Sequence, residues 1–316
     1  MSENTGVVAA GSVLAVCISE KKGVQKHPVD EIRLVEDWGI EGDAHAGKWH
    51  RQVSLLSFEK IEAFRARGAE VDFGAFGENL VVEGFDLSKI PVGTRFRIGE
   101  AILELTQIGK ECHSHCEIYK VMGDCIMPRE GVFTRVLRGG TVKAGDRIEQ
   151  LALRSDRPFT AAAVTLNGKA AAHECEDESG PLVCSLLREA GYDVVETLLL
   201  PGNRTALELQ LKRLADQRQV SVIFTIGGTG FSERDVTPEA TAAVCDRMAP
   251  GIADAMRIRS IQLTPRAMFS RQVSGIRGRT LIVNLPGSPK ACRECLDVIL
   301  PSLPHGLEML RSDGKK

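Results

Sequence analysis

From Phe159 onward the chain alternates short apolar runs with amphipathic stretches, a rhythm best satisfied by a parallel sheet covered by helices on both faces. The runs Phe159–Leu166, Asp193–Leu200, Val220–Ile226 and Leu281–Leu285 read as strands. Helices are expected over Pro181–Glu189, Ala206–Gln217, a segment beginning at Pro238, and Pro289–Ile299. Before Leu151 the texture differs. Short β-branched runs (Ser12–Ser19, Gln52–Ser57, Asn79–Val82, Arg95–Ile98, Ala101–Ile108) are closely spaced between glycine and polar turns, which predicts a mostly antiparallel barrel or sandwich. One helix is expected near Ser57–Arg67, where Ile61 and Phe64 share a face. The change falls at Arg154-Ser155-Asp156-Arg157-Pro158, and with 316 residues the chain divides into two domains, 1–152 and 153–316.

The stretch Thr225-Ile226-Gly227-Gly228-Thr229-Gly230 runs an apolar strand directly into glycines, and Thr237-Pro238-Glu239 then opens a helix with a hydroxyl at the expected N-cap. Without Cβ atoms the loop lets backbone N–H groups approach an anion, so strand, loop and helix start together form a phosphate cradle. The plainer alternative is a tight turn with no ligand. Arg234-Asp235 weighs against it, because a cation and a carboxylate beside such a loop suit phosphate and Mg²⁺, with Asp235 the metal-holding candidate. A second junction, Asn284-Leu285-Pro286-Gly287-Ser288-Pro289, has Ser288 as expected N-cap. A third, Asp177-Glu178-Ser179-Gly180-Pro181, makes Asp177 and Ser179 candidate ligand contacts, although acids at a helix start are more commonly capping and dipole partners.

In the first half, Asp43, His45, His50 and Arg51 crowd one loop ahead of an apolar strand, a pattern that by itself fits solvated histidines. Cys112, His113, His115, Cys116 and Cys125 follow. Zinc, inert buried thiols and a persulfide-carrying cysteine are three open readings. In the last, Lys110, His113, His115 and Arg129 would favour a thiolate that transfers sulfur by nucleophilic attack, without pyridoxal phosphate. Cys292 and Cys295 lie inside an expected helix with no second pair, which argues against metal.

Charge and cysteine usage narrow the classes. Forty Lys+Arg against 42 Asp+Glu leave a net charge of −2, so no bulk positive field exists for nucleic acid. The apolar stretch Val7–Ile18, broken by Gly11 and Ser12, is too short to span a membrane and lacks the basic flank of a signal peptide. Nine cysteines, an odd number, suit reduced thiols and a cytoplasmic protein.

Two resemblances rest on these motifs. DESGPLV, GGTGFSERDVTPEAT, TPRAMFSR, GIRG and NLPGSPKA, in this order over 159–310, resemble the MogA/MoaB-type molybdopterin-binding domain. The resemblance implies a three-layer α/β domain, usually trimeric, whose active members are nucleotidyltransferases that move AMP from Mg-ATP to molybdopterin. It places Gly227, Gly228, Thr229 and Gly230 at the pterin-phosphate site, Ser270 and Ser288 near phosphates, and Asp235 as one of two essential aspartates. The other aspartate's place is Gly202 here, and the family's Ser-Asp pair is replaced by Leu166-Asn167; Glu208 or Asp177 are the candidate substitutes. GIEGDAHAGKWHRQVSLLS, FGENL, PVGTRFRIGEAILELTQIGKECH and MPREGVFTRVLRGG, over about 11–150, resemble the MOSC domain. That implies a β-barrel-like fold, binding of molybdenum cofactor, and sulfur carriage on a cysteine, with Cys125 and Cys116 ahead of Cys112, and Arg51 and the Gly131/Arg135 segment as anion contacts. The expected function is molybdenum cofactor biosynthesis, with a cysteine desulfurase and recipient molybdoenzymes as partners. The competing expectation is a non-catalytic cofactor carrier.

Overall fold

The computed structural model describes residues 6–111, 119 and 122–312. Contacts divide the chain after Ser155 into two compact units.

The N-terminal unit is built from β1 (Val7–Ile18), β2 (His27–Val29), β3 (Glu31–Val35), β4 (Gly39–Ile40), β5 (Val53–Ser57), β6 (Leu80–Glu83), β7 (Arg95–Ile98), β8 (Ala101–Ile108), β9 (Val132–Arg138), β10 (Gly140–Lys143) and β11 (Arg147–Leu151). The order β11-β7-β8-β9-β5-β6-β1 closes through β11–β1 pairing into a seven-stranded barrel, with β2 added beside β1. Only β5–β6 is a parallel pair within it. The twelve residues of β1 serve both β11, through Val7–Ser12, and β6, through Ser12–Val16, with a register shift in each pairing. The bends that such irregularities introduce let one strand turn a barrel corner. Gly11 sits at that corner, where a Cβ would lie 2.0 Å from the Glu83 carbonyl oxygen. β10, β3 and β4 form a separate small sheet. Helix α1 (Phe58–Arg65) presents Ile61 and Phe64 to an apolar cluster that also holds Cys17, Met127 and Phe133.

The C-terminal unit has β12 (Thr160–Leu166), α2 (Ser179–Glu189), β13 (Asp193–Leu200), α3 (Arg204–Lys212), β14 (Val222–Ile226), α4 (Thr237–Val244), β15 (Arg247–Met248), α5 (Pro250–Leu263), β16 (Ser274–Arg277), β17 (Thr280–Leu285), α6 (Pro289–Ile299) and α7 (Leu303–Arg311). The sheet order is β13-β12-β14-β17-β16-β15, with the first four strands parallel. One face packs Val222, Phe224 and Ile226 with α2, α5 and α6; the other packs Ile223 and Ile282 with α3 and α4. This gives the expected helix–sheet–helix layering. The single expected helix over Ala206–Gln217 ends instead as a π turn at Arg213–Gln217. Arg213 and the buried Arg218 both reach Glu196, so this stretch is shaped by ion pairs to β13 as well as by its apolar face. Among the described residues no helix is long and apolar enough to cross a membrane.

Candidate functional site

In the C-terminal unit, β12, β14 and β17 are in register, Thr165 beside Ile226 and Ile226 beside Leu285, so their carboxyl-end loops meet at one edge. Ligands of open α/β sheets gather at such an edge. Gly227 has φ +89° and Gly228 φ +65°, backbone that favours glycine. A Cβ on Gly227 would lie 2.9 Å from the Leu166 carbonyl oxygen and 3.7 Å from Gly287 Cα, so the two glycine loops are nearly in backbone contact.

Thr237 departs from the expected N-cap role: it is the first residue of α4, and Val236 is the cap. Its Oγ1 donates to the Gly227 carbonyl at 2.8 Å and its N–H to the Gly228 carbonyl at 3.1 Å, so it holds the loop rather than capping the helix. Asp235 lies against Gly230, and its Oδ2 accepts the Ser232 N–H at 2.9 Å. Arg271, which sequence reasoning did not single out, ties the loop shut. Its Nε donates to the Gly230 carbonyl at 2.7 Å, another guanidinium nitrogen to the Asp235 carbonyl at 2.5 Å, and its third nitrogen to Glu239. Its backbone N–H also reaches the Thr229 carbonyl at 2.8 Å.

The remaining expected residues divide by role. Asp177 Oδ1 accepts the N–H groups of Ser179 and Gly180 at 3.1 and 3.0 Å, and Ser179 Oγ donates to the Gly287 carbonyl at 2.8 Å. These two brace the second glycine loop. Ser288 caps α6 as expected, through a 3.4 Å bond from Ala291 N–H. Ser270 Oγ bonds Gln272 at 3.1 Å and lines a cavity of about 330 Å³ that opens beside Thr229 and Gly230. Asn167 caps the short helix that follows it. Gly202, on the loop after β13, has φ +72°, and a Cβ there would meet nothing within 4 Å. Glu208 pairs with Arg204 at 2.7 Å. Among the described residues no group of three or more His, Cys, Asp or Glu assembles a metal site on its own. A magnesium ion would therefore draw on Asp235 together with the oxygens of a bound polyphosphate, the usual division of ligands for that ion.

In the N-terminal unit the loop from Asp43 to Arg51 is a turn anchored by its buried first residue, with His45 and His50 half-buried and Lys48 and Trp49 exposed. Asp43 is wholly buried and paired with buried Lys26. Its oxygens also accept the N–H groups of Ser19 (3.1 Å) and His45 (2.8 Å) and the amide of Asn79 (3.2 Å). Burial works against this anion, but the bonds from His45 and Lys26 outweigh it and hold the carboxyl well below the usual carboxylate range. Burial likewise lowers the Lys26 ammonium, against the pull of Asp43. His50 Nε2 lies 2.9 Å from Gln107 Oε1. The Arg51 guanidinium stacks 4.8 Å from the Trp49 ring centroid and 5.6 Å from that of Phe133. Such stacking fixes a cation where it can meet an anion.

Cys112 and Cys116 lie outside the described residues. Cys125 is buried in an apolar cluster with Phe64, Met127 and Phe133. Arg129 is committed to Asp124 at 3.1 Å, and Arg135 to Glu104 at 2.9 Å. Cys17 is buried, and burial pushes its thiol up to about 12, which removes it from nucleophilic chemistry.

Glu78, fully buried, accepts the N–H groups of Gly74 (2.7 Å) and Phe76 (3.1 Å). Burial pushes its carboxyl up to about 7. The folded unit thus binds this proton more tightly than the unfolded chain does, so stability is greatest below about pH 4.5 for this group and is lost as pH rises through about 7. Urea midpoints of the N-terminal unit are expected to fall between pH 5 and pH 8, and Glu78→Gln to flatten that slope; an unchanged slope would show that Glu78 ionises normally.

Comparison with known proteins agrees with both halves of this picture. Residues 162–305 match the family described as "probable molybdopterin binding domain", and residues 42–149 match the MOSC domain. The molybdopterin adenylyltransferase of Helicobacter pylori strain 26695 is 39% identical over 137 residues, 43% of this chain and 78% of that protein. The molybdopterin adenylyltransferase of Haemophilus influenzae is 42% identical over 136 residues, 42% of this chain and 69% of that protein. The crystal structure of the molybdopterin biosynthesis enzyme MoaB from Thermus thermophilus is 40% identical, covers 48% of this chain and 96% of its own, and superposes with a TM-score of 0.46. The chain belongs to the molybdopterin-binding family that includes these adenylyltransferases, and carries that domain C-terminal to a MOSC domain.

Proposed function

We propose that the protein acts in molybdenum cofactor biosynthesis, its C-terminal unit binding molybdopterin and adenylylating it with Mg-ATP. The observation that carries this reading is the pair of abutting glycine loops, pinned by Thr237 and Arg271, beside a cavity of about 330 Å³. The loops receive the terminal phosphate through backbone N–H groups, and the cavity takes the ring system. In the reaction an oxygen of that phosphate attacks the α-phosphorus of ATP, the new P–O bond forms, and the bond to the β-phosphate breaks with release of pyrophosphate. Asp235 would hold the magnesium of Mg-ATP, which would supply charge neutralisation to the transferring group, and Arg271 fixes the Asp235 and Gly230 backbone beside the loop. The exposed apolar residues Ile258, Ile261 and Leu263 on α5, with Met268 and Phe269 after it, give the expected homotrimer a surface to bury. A monomer in light scattering would overturn that part.

The N-terminal unit, in this reading, binds the same cofactor through Arg51 and carries sulfur on a cysteine for delivery to a molybdoenzyme, receiving it from a cysteine desulfurase. Gly202 favours a second reading, in which the unit binds and delivers the cofactor without catalysis, because no carboxylate occupies that place. The two separate on one assay: wild-type protein is mixed with molybdopterin and Mg-ATP, and the adenylylated pterin is sought by chromatography. Slow turnover supports the enzyme, whereas bound but unmodified molybdopterin supports the carrier.

A further inference from the structure

We propose that Glu294 recognises the pterin ring of molybdopterin and keeps adenine out of the cavity beside the glycine loop; this rests on molybdopterin being the ligand of the C-terminal unit. The cavity lies between α5 and α6. Ala291, Glu294 and Cys295, at i, i+3 and i+4, form one wall, and Arg257, Ser260 and Thr264 contribute another. Ser260 Oγ and Cys295 Sγ meet at 3.9 Å across the two helices. About 330 Å³ is room for a fused ring system, at the small end of ligand pockets.

The charges decide what kind of ring. Arg257 is held by protein groups through all three of its nitrogens, with Asp254 at 2.7 Å, the Ser270 carbonyl at 3.3 Å and the Gln272 carbonyl at 2.8 Å, and Arg266, the other cation of the lining, is exposed. Glu294 is the acidic residue of the lining, and its side chain is 24% exposed. Its ion-pair partner is Lys290 at 3.9 Å, a side chain 89% exposed that swings away at little cost. The carboxylate is therefore open to a better partner. A 2-amino-4-oxo pterin edge presents two parallel N–H groups, from the ring and the exocyclic amine, which match the two oxygens of a carboxylate as a guanidinium does. The corresponding edge of adenine places one N–H beside a ring nitrogen lone pair. It offers one bond and one repulsion, so Glu294 discriminates by attraction and by mismatch together.

The experiment measures equilibrium binding of molybdopterin and, separately, of Mg-ATP to wild type, Glu294→Gln and Glu294→Asp, with thermal midpoints as a check on folding. Loss of a bidentate charge-assisted contact is expected to weaken molybdopterin binding by about tenfold or more in Glu294→Gln. Binding of Mg-ATP stays within about twofold, and Glu294→Asp recovers part of the loss. Unchanged molybdopterin binding in Glu294→Gln, or an equal loss for Mg-ATP, would overturn the assignment, the latter placing the nucleobase in this cavity. A wild type that binds no molybdopterin at all would defeat the underlying reading, and this one with it.

Discussion

Gly202→Asp raises the rate of adenylyl transfer by about a hundredfold while leaving molybdopterin affinity unchanged, the scale expected when one preorganised charge-stabilising group is restored. The position is suited to the test. β13 lies beside β12, and the Asn167 N–H donates to the Leu200 carbonyl at 3.0 Å, so the loop carrying Gly202 shares the carboxyl edge with Gly227–Gly230. A new side chain meets no atom within 4 Å of its Cβ. The backbone there, at φ +72°, is left-handed, a conformation Asp tolerates better than most residues, at a cost of about 1 kcal/mol. Folding therefore survives the change. Adenylyl transfer depends on charge neutralisation and positioning, and in the proposed reaction the wild type would have Asp235 alone of the two expected aspartates. Initial rates of adenylylated pterin formation, at saturating substrates, read the effect. Equal rates for both proteins would mean that another group already supplies the missing charge.

Asp43→Ala is expected to destabilise the N-terminal unit by about 3–5 kcal/mol, because it strands the buried Lys26 ammonium without its counter-charge. It also removes the acceptor shared by the Ser19, His45 and Asn79 donors, which joins the end of β1 to the loop before β5 and to the start of β6. Both tryptophans, Trp38 and Trp49, fall in this unit, so urea unfolding followed by tryptophan fluorescence reports it selectively. The double variant Lys26→Met, Asp43→Leu removes both charges together, and is expected to lose far less stability than Asp43→Ala. Similar losses in the two would show that the hydrogen bonds, and not the orphaned charge, dominate.

The strand–glycine loop–helix junctions were legible in the sequence because their signals are local: an apolar run, residues without Cβ, then a hydroxyl and a proline. Arg95–Ile98, Ala101–Ile108, Asp193–Leu200 and Pro289–Ile299 begin and end where pattern alone places them. Arg271 and Lys26 were not legible. Each acts across the fold, 41 residues from Gly230 and 17 from Asp43, and each looks in sequence like an ordinary surface cation. Thr237 shows a subtler failure. The sequence identifies a hydroxyl at a helix start, but whether it caps its own helix or grips a neighbouring loop depends on how closely the Gly227 carbonyl approaches. The burial of Asp43 is hidden from the sequence for the same reason, since its partner Lys26 lies elsewhere in the chain.

On the proposed function, the glycine loops of the C-terminal unit hold molybdopterin. Titration of the full chain with molybdopterin, followed by the pterin absorbance, tests it most directly when set beside Gly228→Ala, whose Cβ would lie 2.4 Å from Thr237 Oγ1 on left-handed backbone. Saturable binding by the wild type, weakened at least about a hundredfold in Gly228→Ala, is the predicted result, since the distorted loop loses several charge-assisted N–H contacts at once. No saturable binding by the wild type, or equal binding by both proteins, would contradict it.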